Sequence, residues 1–122
     1  MIVGGILPAD RNLIIGNDDS GGPTGNEGIA ICDLCDNWDI KGNYIGVNAG
    51  GLTAVANEDS GIGAYAVSAN TVIGGTAAGS ANVISGNGNG NSDYGIFAGT
   101  NFTITGNYVG TDYTGLTALG NT

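Results

Sequence analysis

"GNYIGVNAGGLTAVAN", residues 42–57, returns with few changes as "GNYVGTDYTGLTALGN", residues 106–121. Reading outward, the match spans residues 37–57 and 101–121 at a constant offset of 64, with eleven identities in 21 positions. A second pair, "IVGGILPADRNLIIGN" (2–17) and "VIGGTAAGSANVISGN" (72–87), matches at an offset of 70. There Gly4, Gly5, Asn12, Ile14, Gly16 and Asn17 recur as Gly74, Gly75, Asn82, Ile84, Gly86 and Asn87. Self-similarity of this kind marks a repeat architecture. The 122 residues read as a single domain, 1–122, made of one unit, 2–71, and part of a second, 72–122.

Smaller echoes lie inside each unit. "NLIIGN", "WDIKGN", "NVISGN" and "FTITGN" are short β-branched runs closed by Gly-Asn, and "GIAI", "GIGAYAV" and "GIFAG" form a second class. Runs of this length, bounded by residues that suit turns, are strands. Landmarks near 14, 40, 62, 84 and 104 then set windings of roughly 20–26 residues, the range of a β-solenoid coil. The expected fold is all-β, a right-handed parallel β-helix of about five coils, with no capping helix evident. Ile14, Ile40, Ile84 and Ile104 are expected to form one inward stack, and Asn17, Asn43, Asn87 and Asn107 one ladder of amides bonding from coil to coil.

These "NVISGN…GI…N.I.GN.IGTD.TG..ALGN" units resemble the right-handed parallel β-helix repeat proteins of the pectate-lyase-like superfamily, of the bacterial surface and secreted type. The resemblance covers essentially the whole chain. It implies the fold more strongly than a function, because this architecture serves lyases, hydrolases, adhesins and passive structural arms alike.

Composition narrows the function classes. The chain carries 25 Gly, only 2 cationic residues, Arg11 and Lys41, and 11 acidic ones, for a formal charge of −9. Such a surface offers no footprint for a phosphate backbone and is repelled by anionic lipid, which argues against nucleic-acid binding. No run approaches membrane-spanning length, so no membrane insertion is expected. "MIVGGILPAD" lacks the basic segment and the apolar length of a secretory leader. Strong acidity with so little Lys fits an extracellular or cell-surface protein.

Several residues are candidates for chemistry. Cys32 and Cys35 in "ICDLCDNW" are open to three readings: a redox pair, a metal half-site or a local disulfide. The chain contains no His, so mixed Cys and His zinc sites lose support and structural roles are favoured, as free thiols or a loop staple. Asp33, Asp36 and Asp39 bracket that bulge, and Asp18 with Asp19 opens another insertion. Asp39 and Lys41 flank inward Ile40, so alternation points both outward. In the resembled family, glycan-cleaving members use clustered acids, as paired carboxylates or calcium ligands beside an Arg or Lys base. Asp33, Asp36, Asp39 and Lys41 are thus the candidate ligand site, against the blander reading of a solvated surface pair. No family catalytic motif matches residue by residue, and none is carried over.

"GNGNGNSDY", 86–94, has one imperfect copy of a calcium-binding nonapeptide, but a Gly and Asn turn accounts for it better. No cofactor is expected, with calcium left open, and no metal ligands are assigned. Outward positions on the strands lack the regular threonines of an ice-binding face. Trp38 aligns with Phe102 and Tyr44 with Tyr108, which favours packing between coils over sugar stacking. "NFT" at 101–103 has the glycosylation pattern, relevant only in a eukaryotic secretory pathway. The functional expectation is a non-catalytic, adhesin-like structural module that self-associates through open solenoid ends. The alternative is a polysaccharide-binding or polysaccharide-cleaving module.

Overall fold

The computed structural model describes residues 1–18, 25–64, 70–90 and 93–122. Asp19, residues 65–67 of "GIGAYAV" and residues 91–92 of "GNGNGNSDY" lie outside them. Eleven short strands follow one another: β1 (Ile2–Gly4), β2 (Leu13–Ile14), β3 (Ile29–Ile31), β4 (Asp39–Lys41), β5 (Tyr44–Ile45), β6 (Ile62–Ala64), β7 (Val72–Gly74), β8 (Val83–Ile84), β9 (Ile96–Phe97), β10 (Thr103–Thr105) and β11 (Tyr108–Val109). The one helical element among the described residues is a single 3-10 turn, Pro8–Asp10, and no described helix is long and apolar enough to cross a membrane.

Every third strand stacks on the one before. Sheet A is β1-β4-β7-β10, sheet B is β2-β5-β8-β11 and sheet C is β3-β6-β9, and all pairs between these strands are parallel. This is an all-β chain wound through three parallel sheets, in keeping with a right-handed parallel β-helix. Strands of two or three residues have no stability alone; each is held by the windings above and below it.

The described strands make three complete windings and two strands of a fourth, against the five expected. The landmarks used for that count fall alternately on different sheets. Successive windings of sheet A begin at Ile2, Asp39, Val72 and Thr103, so one turn takes 37, 33 and 31 residues. The expected isoleucine column is corrected in the same way. Ile40 belongs with Val3, Ile73 and Ile104 in sheet A, while Ile14 and Ile84 belong with Ile45 and Val109 in sheet B. Sheet C adds Ile29, Ile62 and Ile96. Together the central members form one buried aliphatic core, with Val3, Ile14, Trp38, Ile96 and Phe102 packed at its margins.

The single amide ladder is likewise two. At the corner between sheets A and B, the amide of Asn12 donates to Asn43 Oδ1 (3.0 Å), Asn43 to Asn82 (3.1 Å) and Asn82 to Asn107 (2.8 Å). At the corner after sheet B, the Asn17 backbone N–H donates to Asn57 Oδ1 (3.2 Å), and the side-chain amides of Asn57 and Asn87 donate to Asn87 (2.8 Å) and Asn121 (3.0 Å). Asn43 and Asn107 therefore stand on one ladder, Asn17 and Asn87 on the other, and no two of the four are neighbours. From the second winding on, each ladder amide also reaches back one winding, as Asn82 does to Ile40 O (2.9 Å) and Asn87 to Ile45 O (3.2 Å). Each such bond contributes about 1 kcal/mol net, whereas a buried amide left without it costs about 1–3 kcal/mol.

The two ladders expose two kinds of winding. In the first and third, the ladder residues are five apart, Asn12 to Asn17 and Asn82 to Asn87. In the second and fourth they are fourteen apart, Asn43 to Asn57 and Asn107 to Asn121, the ends of the peptide quoted first. The nine additional residues fold as a small loop, closed by the antiparallel bridges Val47↔Ala54 and Thr111↔Ala118. Plain and loop-bearing windings alternate, which is why the sequence repeats at two-winding distances.

The aromatic pairings are altered by the same alternation. Strand register places Thr71 between Trp38 and Phe102, and Val83 between Tyr44 and Tyr108. Val83 and Ser85, which alternation points to solvent, are buried instead. The loops cover them, and Tyr44, Val47 and Val83 make a second small core with Leu119 outside the tube.

Candidate functional site

Strand alternation places Asp39 and Lys41 on the outer face of sheet A on either side of fully buried Ile40. Their side chains form an ion pair, Lys41 Nζ donating to Asp39 Oδ2 at 2.5 Å. Both are partly open to water, so the pair adds little to stability. It borders a surface groove of about 430 Å³ lined by Asn37, Trp38, Asn70, Val72, Gly74 and Ser80 as well. Asn37, Asn70 and Asn101 each precede a sheet A strand with φ of 61°, 57° and 58°. They form a third asparagine column, chosen because Asn tolerates the left-handed turn there.

Asp33 and Asp36 lie beside this site rather than in its lining. Both are exposed, Asp33 on the turn closed by a disulfide between Cys32 and Cys35, whose Cα atoms are 5.3 Å apart, and Asp36 just after it. The turn runs through Leu34 at φ 59°, and Cys35 N–H donates to Cys32 O at 3.3 Å. Of the four candidates, the structure pairs Asp39 with Lys41. Among the described residues no three Cys, Asp or Glu side chains gather as a metal site.

A larger concavity, about 740 Å³, lies at the open end of the tube below the first winding, one strand away from the ion pair, since Ile2 and Gly4 in its lining pair with Asp39 and Lys41. Ile2, Val3, Leu13 and Ile14 line it with Asp10, Arg11 and Asn12. It is the uncovered underside of the first strands of sheets A and B. Exposed Arg11 packs 4.0 Å over the Tyr44 ring and donates to Gly42 O at 3.4 Å, which ties it to the second winding.

Among the described residues, the one group with a clearly shifted acidity lies in the loops. Asp112 is buried, and its Oδ1 accepts from the Thr114 hydroxyl (2.6 Å) and from the N–H groups of Thr114 (3.0 Å), Leu116 (3.2 Å) and Thr117 (3.4 Å). The Thr114 hydroxyl bond is the largest influence; with the Thr117 and Leu116 bonds it outweighs desolvation and lowers the carboxyl from 3.8 to about 2. Asn48 fills the matching place in the second winding, accepting from Leu52 N–H at 3.1 Å. The cap was not singled out from sequence, although the aligned Asn48 and Asp112 were its signal. Asn12, Asn57, Asn82 and Asn121 were overlooked as ladder members, although "NLIIGN" and "NVISGN" carry an Asn at both ends.

No protein-family model matches the chain, and no curated protein or solved structure matches it. The functional reading therefore rests on the geometry.

Proposed function

We propose that this chain is a non-catalytic structural module of an extracellular or cell-surface protein, adhesin-like in its role, and akin to the bacterial surface members of the pectate-lyase-like superfamily. One observation carries the reading: the outermost windings keep exposed aliphatic and aromatic rows and unpaired parallel edges, surfaces on which another winding can pair. The disulfide suits an oxidising compartment, and the charge of −9 suits a soluble, self-repelling exterior. Electron microscopy and sedimentation across concentrations test it, with elongated assemblies expected; a concentration-independent monomer argues against pairing at the ends.

A second reading is supported by the groove beside Trp38, Asp39 and Lys41, whose aromatic edge and paired charges suit an acidic polysaccharide. Binding or cleavage of such a polymer, lost in Asp39→Ala, would replace the first reading with this one.

A further inference from the structure

Alternation of windings dictates what can lie next to each end. The loop of the second winding reaches over the short corner of the third. There Ala54 fills the space beside Gly86, where an added Cβ would stand 2.5 Å from the Ala54 Cβ. The loop then meets the loop of the fourth winding, Tyr113 N–H donating to Gly51 O at 3.0 Å. A loop-bearing winding thus needs a plain one above it, and the plain corner must present a glycine.

The first and fourth windings each hold half of that junction ready. Gly16 in the first winding has the conformation of Gly86, φ 68° against 69°, yet nothing lies within 4 Å of the position its Cβ would take. The residue matching Ala54 is Ala118, at the opposite end. Conversely, Gly46 is pressed by the third winding, its Cβ position 2.3 Å from Asn87 Oδ1 and 2.4 Å from Ser85 O. Gly110 repeats that backbone, φ 76° against 80°, and faces open space. The residues matching Asn87 and Ser85 are Asn17 and Ile15 of the first winding. Each end therefore carries the groups that the other end lacks.

From this we infer that the partner for the end surfaces is a second copy of this chain, docked head to tail with its first winding on the fourth winding of its neighbour. The inference rests on the pairing surfaces of the proposed function and adds their polarity and register. Asn107 donates to Asn12 of the next copy and Asn121 to Asn17, extending both ladders. Ile104 stacks on Val3, Val109 on Ile14, and Tyr108 stands opposite Leu13, as Tyr44 stands opposite Val83 inside the chain. Charge permits the contact: residues 100–122 carry one charged side chain, the buried Asp112, and residues 1–18 carry only Asp10, Arg11 and Asp18, so the two faces meet with little of the acidic exterior between them. The fourth winding has no described strand in sheet C, so the junction is made by sheets A and B, with a slot one strand deep beside β9. Such a heterologous contact does not close on itself and propagates as a filament.

Single-cysteine variants test the register. In the docked pair, positions 13 and 108 stand about 4.8 Å apart, the spacing of paired strands and within reach of a disulfide. Leu13→Cys and Tyr108→Cys proteins, each with its native disulfide intact, are oxidised separately and as an equimolar mixture. The mixture is expected to yield the 13–108 heterodimer as the main covalent product, with neither variant forming comparable homodimer alone. Leu13→Lys, at a half-exposed site and with its fold checked by circular dichroism, should weaken association at least about tenfold by placing a charge in an apolar contact. Association with homodimeric cross-links, or indifference to Leu13→Lys, overturns the head-to-tail register while leaving a self-pairing module in place. Absence of both association and cross-linking overturns this inference and the pairing reading together.

Discussion

Residues 42–57 and 106–121 are near copies, yet they occupy different physical situations. In the second winding Tyr44 is 7% exposed and Ile40 0%; in the fourth, the matching Tyr108 is 38% exposed and Ile104 41%. The backbone is the same, with its bridge, its loop and its two ladder asparagines. The difference is a covering winding, present over one copy and absent over the other. Burial in this molecule is a property of position along the stack, as expected where each repeat touches only its neighbours.

The comparison breaks most visibly in the core. Ile40→Ala, which opens a cavity between two windings, should cost about 2–5 kcal/mol. Ile104→Ala should cost less than about 1 kcal/mol, since its site already meets solvent. Urea unfolding of the two variants checks this; equal losses would mean that the copies are covered alike. The amide corners follow. Asn87→Ala strands bonds to Asn57, Asn121 and Ile45 and should cost about 1–3 kcal/mol. Asn121→Ala, at the ladder's end, should cost clearly less in the same assay.

A smaller effect of opposite sign is expected between the copies. Thr71, interposed between Trp38 and Phe102, is fully buried with no partner for its hydroxyl among the described residues. Thr71→Val keeps the shape and removes the unpaired group, and should stabilise by about 1 kcal/mol. A melt at lower temperature than the parent would show that the hydroxyl is engaged.

The smallest effect separates the two loop caps by pH. Asp112 has a folded acidity of about 2 against 3.8 unfolded, so its contribution is fully present above about pH 4 and is lost as pH falls toward 2. Asn48 has no such titration. Asp112→Asn should flatten that part of the stability profile, and Asn48→Asp should add a second step to it. Denaturant midpoints measured from pH 5 to 2 check both; an unchanged profile in Asp112→Asn would assign the acid loss to other carboxylates.

Much of the site was legible locally and less of it collectively. Asp39 and Lys41 on one outward face follow from strand alternation around Ile40, and their pairing follows from their proximity. That Trp38, Asn70 and Ser80 line the same groove does not, because those residues come from two windings. The same limit applies to the ladders: "GN" identifies a corner but not which of two corners.

The sequence by itself determined short parallel strands, aliphatic columns, asparagine corners and a two-part repeat, since each is written in residue types only a few positions apart. The tertiary structure decided which strand joins which sheet, how many windings result and which copy of a repeated peptide is covered. Those depend on loop length and on register between residues more than thirty apart. Such long-range pairing has no local signature, because identical strands are equally fit to occupy any of three faces until the windings stack.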